Sequence, residues 1–510
     1  MIRRIALAAL TLVTCAGAAR AEDWPQWGRD PSRNMASTEK PLPVEFDPGK
    51  LDAEGLKIDV ATMKNVRWVA RLGSAAYGNP TIAKSRILVG TNNDTPRNAK
   101  YKGDYSVLLC LDEATGNLVW QLAVPKLKAG KQSDWEHVGI ASSPAIVGDR
   151  VYVVTSRCEI LCLDLNGLAN GNDGAFKDEA QYTAGPGNTP IPQDATDADI
   201  LWRYDMRDEL GVFPHYSAAS SVLVVGDRVY ATTSNSTDWT KRHVPAPDAP
   251  ALICLDATTG KLLGREASGI SRRTLHSNWS SPSFGKAGDQ EMVLFGGGDG
   301  WCYAFDPVPV AGPDGTAVLK ELWRFDCNPP DYRTKDGKPL KYGPPKGPSE
   351  VIATPVIQAG RVYVSIGQDP ESEEGDGCLN CIDATKRGDI SQSGLVWRFT
   401  KMGRSLSTVA TDGALIFVAD HAGFVYCLDA AKGDLVWKHD LEGNIWGSPL
   451  LGDGKVYVGN GSGQMLILEA GREKKVVKAV QFESNLFSTV VTANGRLIVA
   501  TERWLYSIGK

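Results

Sequence analysis

Three of the six histidines in this 510-residue chain share one context. His137, His215 and His276 each stand a few residues ahead of a Ser-Ser pair. Imidazole accepts and donates protons near neutral pH and binds metals, so a recurring histidine is a candidate site residue. The shared position predicts that the three rings converge, provided that the fold brings their segments together.

Further side chains that could bind a ligand occupy neighbouring positions. Glu350 and Arg404 enter the next two segments of the same kind, and Tyr216, Trp279 and Trp446 supply aromatic faces. A few convergent polar groups with aromatic walls are typical of a ligand site. The alternative is that each histidine only hydrogen-bonds its own loop. No metal site is predicted, because separate segments would have to place the rings at Zn–N distances of about 2.0–2.1 Å.

Other motifs give no catalytic residue. The glycine-rich stretches at 296–300 and 459–463 precede no helix, which a phosphate-binding loop requires. The acidic stretch at 371–377 does not match the spacing of an EF-hand loop. The catalytic assignment stays unknown, and whether the protein is an enzyme stays open.

The elements that would position these residues follow from a repeat. A phrase written "LDEATGNLVW" at 111–120 returns through the chain. Aligning its acidic residue gives Asp112, Asp164, Asp256, Asp306, Asp383, Asp429 and Glu469, with a final degenerate copy at the C-terminus. The closest copies are 46 and 40 residues apart, which is typical of a four-stranded propeller blade.

Each copy contains two short alternating strands (A and B), an "ILCLD"-like strand C and an "LVW"-like strand D. Period-2 apolar patterning with Gly and Asp turns predicts β-strands, and no amphipathic helix is predicted. The last copy ends after strand C, whereas 65–72 contains an unpaired strand D with Trp68. The sequence therefore predicts an all-β, eight-bladed propeller of four-stranded blades, closed by an N-terminal strand that completes the last blade.

The repeated phrase is explained as a packing device. Asp112 and Asp429 can bind the turn backbone, and Gly116 supplies a positive φ. The tryptophans of strand D are predicted to pack against the neighbouring blade; they are Trp68, Trp120, Trp202, Trp323, Trp397 and Trp437.

The cysteines follow the same repeat. Five of the ten lie two residues before the repeat acid, where Cys acts as a small buried apolar residue: Cys110, Cys162, Cys254, Cys381 and Cys427. Most are therefore predicted to be unpaired, and the disulfide state of Cys158, Cys327 and Cys378 stays open.

The phrase Asp-x-x-Thr-Gly-x-x-x-Trp at 112–120 resembles the tryptophan-docking motif of the PQQ-like propellers. That superfamily includes quinoprotein alcohol dehydrogenases and BamB-type outer-membrane assembly lipoproteins. The resemblance covers about residues 65–510. The segments "DWPQWGRDPSRN" (23–34), "LHSNWSSPSFG" (275–285), "GGGDGWCYAFDP" (around 298) and "GQDPESEEGDG" (367–377) resemble an exported bacterial subgroup of these proteins. PQQ with calcium is a possible cofactor by resemblance, but the chain has no adjacent Cys-Cys pair and no Cys-x-x-Cys-His haem motif. The cofactor is therefore left unknown.

The N-terminus has the pattern of a secretory signal. Two arginines precede an apolar run, and "ARA" ends at Ala21, which predicts cleavage near Ala21 and a periplasmic or secreted protein. Anchoring as a lipoprotein at Cys15 is the less favoured alternative. The predicted organisation is a signal peptide at 1–21, an extension at 22–64 and the propeller at 65–510.

The net charge and the lengths of the loops limit the classes of function that the protein can have. The net charge is −5 and no basic patch is present, which argues against nucleic-acid binding. No transmembrane span is predicted, and the protein is expected to be a monomer with an unknown protein or small-molecule ligand. Long B–C and D–A connections over blades 1–5 mark one face as functional. We expect a non-catalytic binding or scaffold protein of the cell envelope; the alternative is a quinoprotein-like oxidoreductase with a divergent site on that face.

Overall fold

A computed structural model describes residues 22–128, 134–312, 315–343, 347–371 and 375–509. The predicted signal peptide and Cys15 lie outside the described residues. So does the middle of the acidic stretch at 371–377, namely residues 372–374.

The described residues form eight four-stranded antiparallel blades, as the sequence predicts. In the order A, B, C, D the strands are: blade 1, Thr81–Ala83, Arg86–Asn92, Tyr105–Asp112, Leu118–Pro125; blade 2, Ala145–Val147, Arg150–Val154, Glu159–Asp164, Ile200–Asp205; blade 3, Leu223–Val225, Arg228–Thr232, Leu252–Asp256, Leu262–Glu266; blade 4, Ser283–Ala287, Gln290–Gly296, Trp301–Phe305, Glu321–Asp326; blade 5, Val356–Gln358, Arg361–Ile366, Asp376–Asp383, Leu395–Gly403; blade 6, Ala410–Thr411, Leu415–Ala419, Phe424–Asp429, Leu435–Asp440; blade 7, Leu450–Gly452, Lys455–Gly459, Gln464–Glu469, Val476–Gln481; blade 8, Val491–Ala493, Arg496–Ala500, Trp504–Ile508, Val66–Arg71.

The last blade joins the two ends of the chain. Strand D of blade 8, Val66–Arg71, pairs antiparallel with Trp504–Ile508, and Trp68 lies opposite Ser507. The N-terminal strand therefore closes the ring, which confirms the prediction of closure and leaves no blade with three strands.

Short elements decorate this ring. The pair Val310–Ala311 and Ala317–Leu319 extends blade 3, and Gly388–Asp389 extends blade 4. Two hairpins lie apart from the blades, Lys50–Leu51 with Ile58–Asp59 and Thr334–Lys335 with Lys338–Pro339. Within the described ranges there are three short α-helices and three 3₁₀ turns: Glu179–Ala184, Met206–Leu210, Pro330–Arg333, Val60–Thr62, Gly167–Asn170 and Ser271–Arg273.

These helices are a departure from the sequence analysis, which predicts none. Each has six residues or fewer and lies in a connection, so none is long enough to show a 3.6-residue period. No helix of the part of the chain that the structure describes is long and apolar enough to cross a membrane.

The contacts of the repeated phrase join adjacent blades. Oδ1 of Asp112 accepts hydrogen bonds from the backbone N–H and the hydroxyl of Thr115, at 3.0 and 2.8 Å. Gly116 has φ of 72°, and a β-carbon there would lie 2.6 Å from the ring of Trp68. Glycine is therefore required at position 116 for two reasons, the positive φ and the close approach of the indole.

The indole N–H groups complete these contacts. Five of them donate to a backbone carbonyl of the next blade: Trp68 to Glu113, Trp120 to Leu165, Trp202 to Ala257, Trp397 to Ala430 and Trp437 to Gly471, at 2.8–3.2 Å. Trp323 is fully buried, but its N–H has no partner among the described residues. The carboxylate of Asp429 resembles that of Asp112, since it accepts from Ala431 N and Lys432 N.

A second set of inter-blade bonds lies nearer the axis, where strand A of one blade contacts strand A of the next. The residue just before strand A has a short polar side chain that accepts from the backbone N–H of its counterpart in the preceding blade. Seven of the eight junctions between described residues have this bond. With the N–H donor first, the pairs are Asn79 and Ser143, Ser143 and Ser221, Ser221 and Ser281, Thr354 and Thr408, Thr408 and Ser448, Ser448 and Thr489, and Thr489 and Asn79. The Ser-Ser pairs of the sequence thus belong to an almost continuous polar ring.

Residues 22–39 run once around the axis at the A–B end of the blades. They bond to all eight described blades, with the side chain of Arg33 reaching back to blade 3. From blade 1 to blade 8 the bonds join Trp24 to Ile82, Pro25 to Ile146, Arg33 to Val222, Pro31 to Phe284, Ser32 to Ile357, Met35 to Val409 and to Leu451, and Glu39 to Gly495. We call this segment the N-terminal circuit. Trp24, Arg33 and Met35 are buried in it, so it closes the axial channel at this end.

The nine cysteines among the described residues are all free and buried. The thiol of Cys378 contacts the carbonyl of Cys327 at 3.3 Å, and that of Cys158 contacts the carbonyl of Thr233 at 3.1 Å. Burial raises the pKa of Cys110 to about 12, so this thiol is inert in the folded protein.

Candidate functional site

Two of the three predicted histidines meet at the open end of the channel. The rings of His215 and His276 lie 4.7 Å apart between centroids. Tyr216 and Trp279 stack on each other at 6.0 Å, and each contacts His276 edge-on. We call these four residues, with Tyr342 and Glu350, the histidine cluster.

Two carboxylates flank the ring of His276. Its Nδ1 lies 3.5 Å from Glu350 Oε1, and its Nε2 lies 3.8 Å from Asp369 Oδ2. Both ring nitrogens are buried and have no hydrogen-bond partner among the described residues. The imidazole is therefore held between two acids but sealed from solvent.

The two carboxylates already have other partners. Glu350 accepts from the backbone N–H of Ser277 at 2.9 Å and from the hydroxyl of Tyr342 at 3.1 Å. Asp369 pairs with Lys241 at 2.7 Å. Tyr342 also stacks on His276 at 5.8 Å and forms one wall of a cleft of about 880 Å³. Tyr342 thus separates the buried imidazole from the open cleft.

The predicted residues of later blades continue the site. Arg404 donates to the carbonyls of Asp369 and Pro370, and its Nη2 lies 3.3 Å from Nδ1 of His421. His421 packs edge-on against Trp446 at 5.2 Å. Arg404 and Trp446 are thereby connected to the histidine cluster through Asp369.

Trp446 also belongs to an aromatic arc with two residues that the sequence analysis did not select. Its ring lies 5.4 Å from Phe487, and Phe487 stacks on Tyr77 at 5.4 Å with an interplanar angle of 3°. The arc spans blades 7, 8 and 1. Stacked and tilted aromatic faces of this kind provide a large apolar contact area.

The arc is part of a ring formed by one repeat position. The residue three places before the Pro or Val that precedes strand A is half-buried in every described blade, and none of the eight is charged: Tyr77, Ala141, Ala219, Trp279, Ile352, Leu406, Trp446 and Phe487. We call these residues the apolar ring. It lies above the polar ring of inter-blade bonds, and together they line a funnel that the N-terminal circuit closes at its base.

His137 is not in this cluster. Its side chain is 67% exposed and its Nδ1 lies 3.2 Å from Asp94 Oδ1, and it lines a separate cleft of about 700 Å³. Its backbone has φ of 59° and its N–H donates to Asp104. The side chain thus lies in a different cleft from the histidine cluster, so the expectation that all three histidines face the funnel is wrong for His137.

Burial decides the charge of two funnel imidazoles. It lowers the pKa of His215 to about 4, with a smaller contribution from His276. It also lowers the pKa of His421 to about 4, assisted by the adjacent Arg404. Both rings are therefore neutral at pH 7 and act as aromatic and hydrogen-bonding surfaces there.

The residues missed by the sequence analysis fall into two groups. Tyr77 and Phe487 occupy the same repeat position as Trp279 and Trp446, so the alignment of the repeats contained the signal. Asp369 and Tyr342 lie in long connections of unique sequence, where no spacing identifies them.

An eight-bladed ring with this repeat and an axial funnel defines a PQQ-like β-propeller. The sequence model of the family PQQ_2, described as outer membrane protein assembly factor BamB, matches residues 57–193, 104–306 and 375–495. The chain therefore belongs to this family. A comparison with curated proteins gave no significant match.

Solved structures share the fold at low identity. BamB from Moraxella catarrhalis aligns with a TM-score of 0.51 at 15% identity, covering 87% of this chain and 96% of the other. The quinohemoprotein alcohol dehydrogenase ADHIIG from Pseudomonas putida HK5 aligns with a TM-score of 0.55 at 11% identity, covering 96% and 80%. At these identities the similarity concerns the fold alone.

Proposed function

We propose that the chain is an exported binding protein of the cell envelope, released by cleavage after Ala21, with the funnel as its binding site. The observation that carries this proposal is the apolar ring, which is half-exposed in a channel that the N-terminal circuit closes at one end. A dead-end concave site with aromatic walls and a few polar groups suits a small molecule or the side chains of a partner protein. Membership of a family named for outer-membrane protein assembly supports an envelope role.

The accessible and inaccessible parts of the site favour binding over catalysis. The residues of the apolar ring are half-buried and uncharged, whereas the ring nitrogens of His276, the residue placed between two acids, are enclosed. A general base must come within hydrogen-bond reach of the proton that it removes. In this arrangement His276 supports the walls of the site and does not contact a ligand.

A quinoprotein-like oxidoreductase is the second candidate, because His276 between Glu350 and Asp369 could in principle hold a transferable proton. The donor set does not fit a calcium-bound quinone. Glu350 already accepts from Ser277 and Tyr342, and Asp369 is paired with Lys241. Across the residues that the structure describes, no three His, Cys, Asp or Glu side chains are grouped to hold a metal.

The test is a binding screen on the processed protein, with sugars, alcohols, short peptides, and PQQ with Ca²⁺ as probes. A probe that raises the melting temperature should lose this effect in Trp446→Ala and Trp279→Ala, and keep it in Leu435→Ala, where a 44%-exposed side chain outside the funnel is removed. Binding that survives both funnel substitutions would place the site elsewhere. Dye reduction dependent on PQQ and Ca²⁺ would favour the second candidate.

A further inference from the structure

The two ends of the N-terminal circuit meet on the same turn of blade 8. Oε1 of Glu39 accepts from Gly495 N at 3.1 Å and from Glu22 N at 3.0 Å. The carbonyl of Glu22 accepts from Asn494 N at 3.3 Å. Residues 22 and 39 thus close the circuit against one another, with the backbone nitrogen of Glu22 pointing at a carboxylate.

Glu39 has an unusual environment for an acid. Its side chain is buried, with 3% of the residue exposed, and its Oε2 has no hydrogen-bond partner among the described residues. No Lys, Arg or His of the described chain forms an ion pair with it. The nearby acids are already paired, Glu22 with Arg29 and Glu113 with Arg496. Burial raises the pKa of Glu39, as expected for a carboxylate without a counter-charge.

The position of Glu22 is fixed independently of this contact. Its carboxylate pairs with Arg29 and accepts from the hydroxyl of Thr38 at 3.2 Å. Because the side chain and the carbonyl of Glu22 each have another partner, a new charge on its nitrogen would arise at a defined place beside Glu39.

We propose that cleavage after Ala21 converts the backbone nitrogen of Glu22 into an ammonium group whose ion pair with Glu39 closes the N-terminal circuit. The proposal rests on the export and processing proposed above. A signal peptidase would hydrolyse the Ala21–Glu22 bond: water supplies the hydroxyl to the carbonyl carbon of Ala21 and a hydrogen to the nitrogen of Glu22. The amine then takes up a proton from solvent. One N–H donor becomes three, with a full positive charge.

The physical reason is the cost of an unpaired buried carboxylate. A charge removed from water is stable only when it is paired and hydrogen-bonded. Before cleavage the carboxylate of Glu39 receives only uncharged donors, and after cleavage it receives a cation at the same contact. Maturation would therefore fasten the circuit, and the precursor would hold it more loosely.

The experiment uses the chain from Glu22 onward in two forms. One begins at Glu22 with a free amine, released from a fusion by a protease that leaves no extra residue. The other retains Gly-Ser ahead of Glu22, which preserves the amide. Each is made with Glu39 and with Glu39→Gln, a substitution that keeps an oxygen acceptor for Gly495. Trypsin cleavage after Arg29 or Arg33, within the circuit, reports how often the segment undocks.

In the free-amine form, Glu39→Gln should speed cleavage by at least about fivefold, while in the extended form the change should stay below about twofold, because the lost ion pair exists only in the first. Equal effects in both forms would overturn the ion pair. The mass of the exported protein tests the processing separately. A mature protein whose first residue is not Glu22 would refute the cleavage site. The comparison of the four proteins would still show whether Glu39 can pair with an ammonium group.

Discussion

The contact between Trp120 and blade 2 provides the sharpest test of how the ring is held together. The indole is fully buried, its N–H donates to Leu165 O at 2.8 Å, and its ring covers Gly167. Trp120→Ala removes the largest buried side chain of this junction and leaves a cavity, which costs about 3–5 kcal/mol of unfolding free energy. The carbonyl of Leu165, left buried without its hydrogen-bond donor, accounts for about 1–3 kcal/mol of that loss in unfolding free energy.

Two variants separate the parts of this effect. Trp120→Phe keeps an aromatic ring but removes the donor, so its loss should be smaller than that of Trp120→Ala. Trp239→Ala is the matched control, since that indole is 68% exposed, and should change stability by no more than about 0.5 kcal/mol. Urea unfolding followed by far-UV circular dichroism gives the values. A loss below about 0.5 kcal/mol for Trp120→Ala would refute the idea that these tryptophans join the blades.

Three further predictions concern the ends, the thiols and pH. Deleting residues 22–72 removes both the N-terminal circuit and strand D of blade 8, and should abolish cooperative unfolding; a monomeric truncation with an unchanged melting temperature would contradict ring closure. Native protein should not react with a thiol reagent, whereas unfolded, unreduced protein should take up nine equivalents, one for each free cysteine; uptake of one or none would restore a disulfide framework. Because burial lowers the pKa values of His215 and His421 to about 4, the unfolded chain binds protons that the folded chain does not between about pH 6.5 and 4. The free energy of unfolding should therefore decrease as the pH is lowered from about 6.5 to 4. Replacing both residues with Asn should make this decrease smaller. A pH dependence of the melting temperature that the replacement leaves unchanged would show that neither ring is buried in the neutral form.

The ring architecture could be predicted from the sequence because its determinants are local and repeated. Asp112 and Gly116 define a turn within five residues, and Trp68 identifies a strand D that lacks its blade. The copies marked by Asp383, Asp429 and Glu469, which are 46 and 40 residues apart, then give the period directly. Patterns of this kind depend on neighbours along the chain, so no tertiary information is needed to see them.

The candidate site and the N-terminal circuit could not be predicted in this way, because they depend on contacts between segments that are distant in sequence. His137 and His215 have the same spacing to the Ser-Ser pair, yet the side chain of His137 is exposed beside Asp94 whereas His215 is buried against His276. The N-terminal circuit shows no period, because it contains no repeat and its bonds go to eight different blades. Asp369 reaches His276 across 93 positions of sequence, and only the folded ring brings them within 3.8 Å.

The N-terminal circuit has a consequence for the order of folding. Residues 22–39 are synthesised before any blade, but their partners include Gly495, close to the end of the chain. A segment that is made before every blade can therefore dock only after the last blade is made. Because the segment bonds to all eight blades, a chain that lacks one blade would leave part of it without partners, so its docking distinguishes a complete ring from an incomplete one.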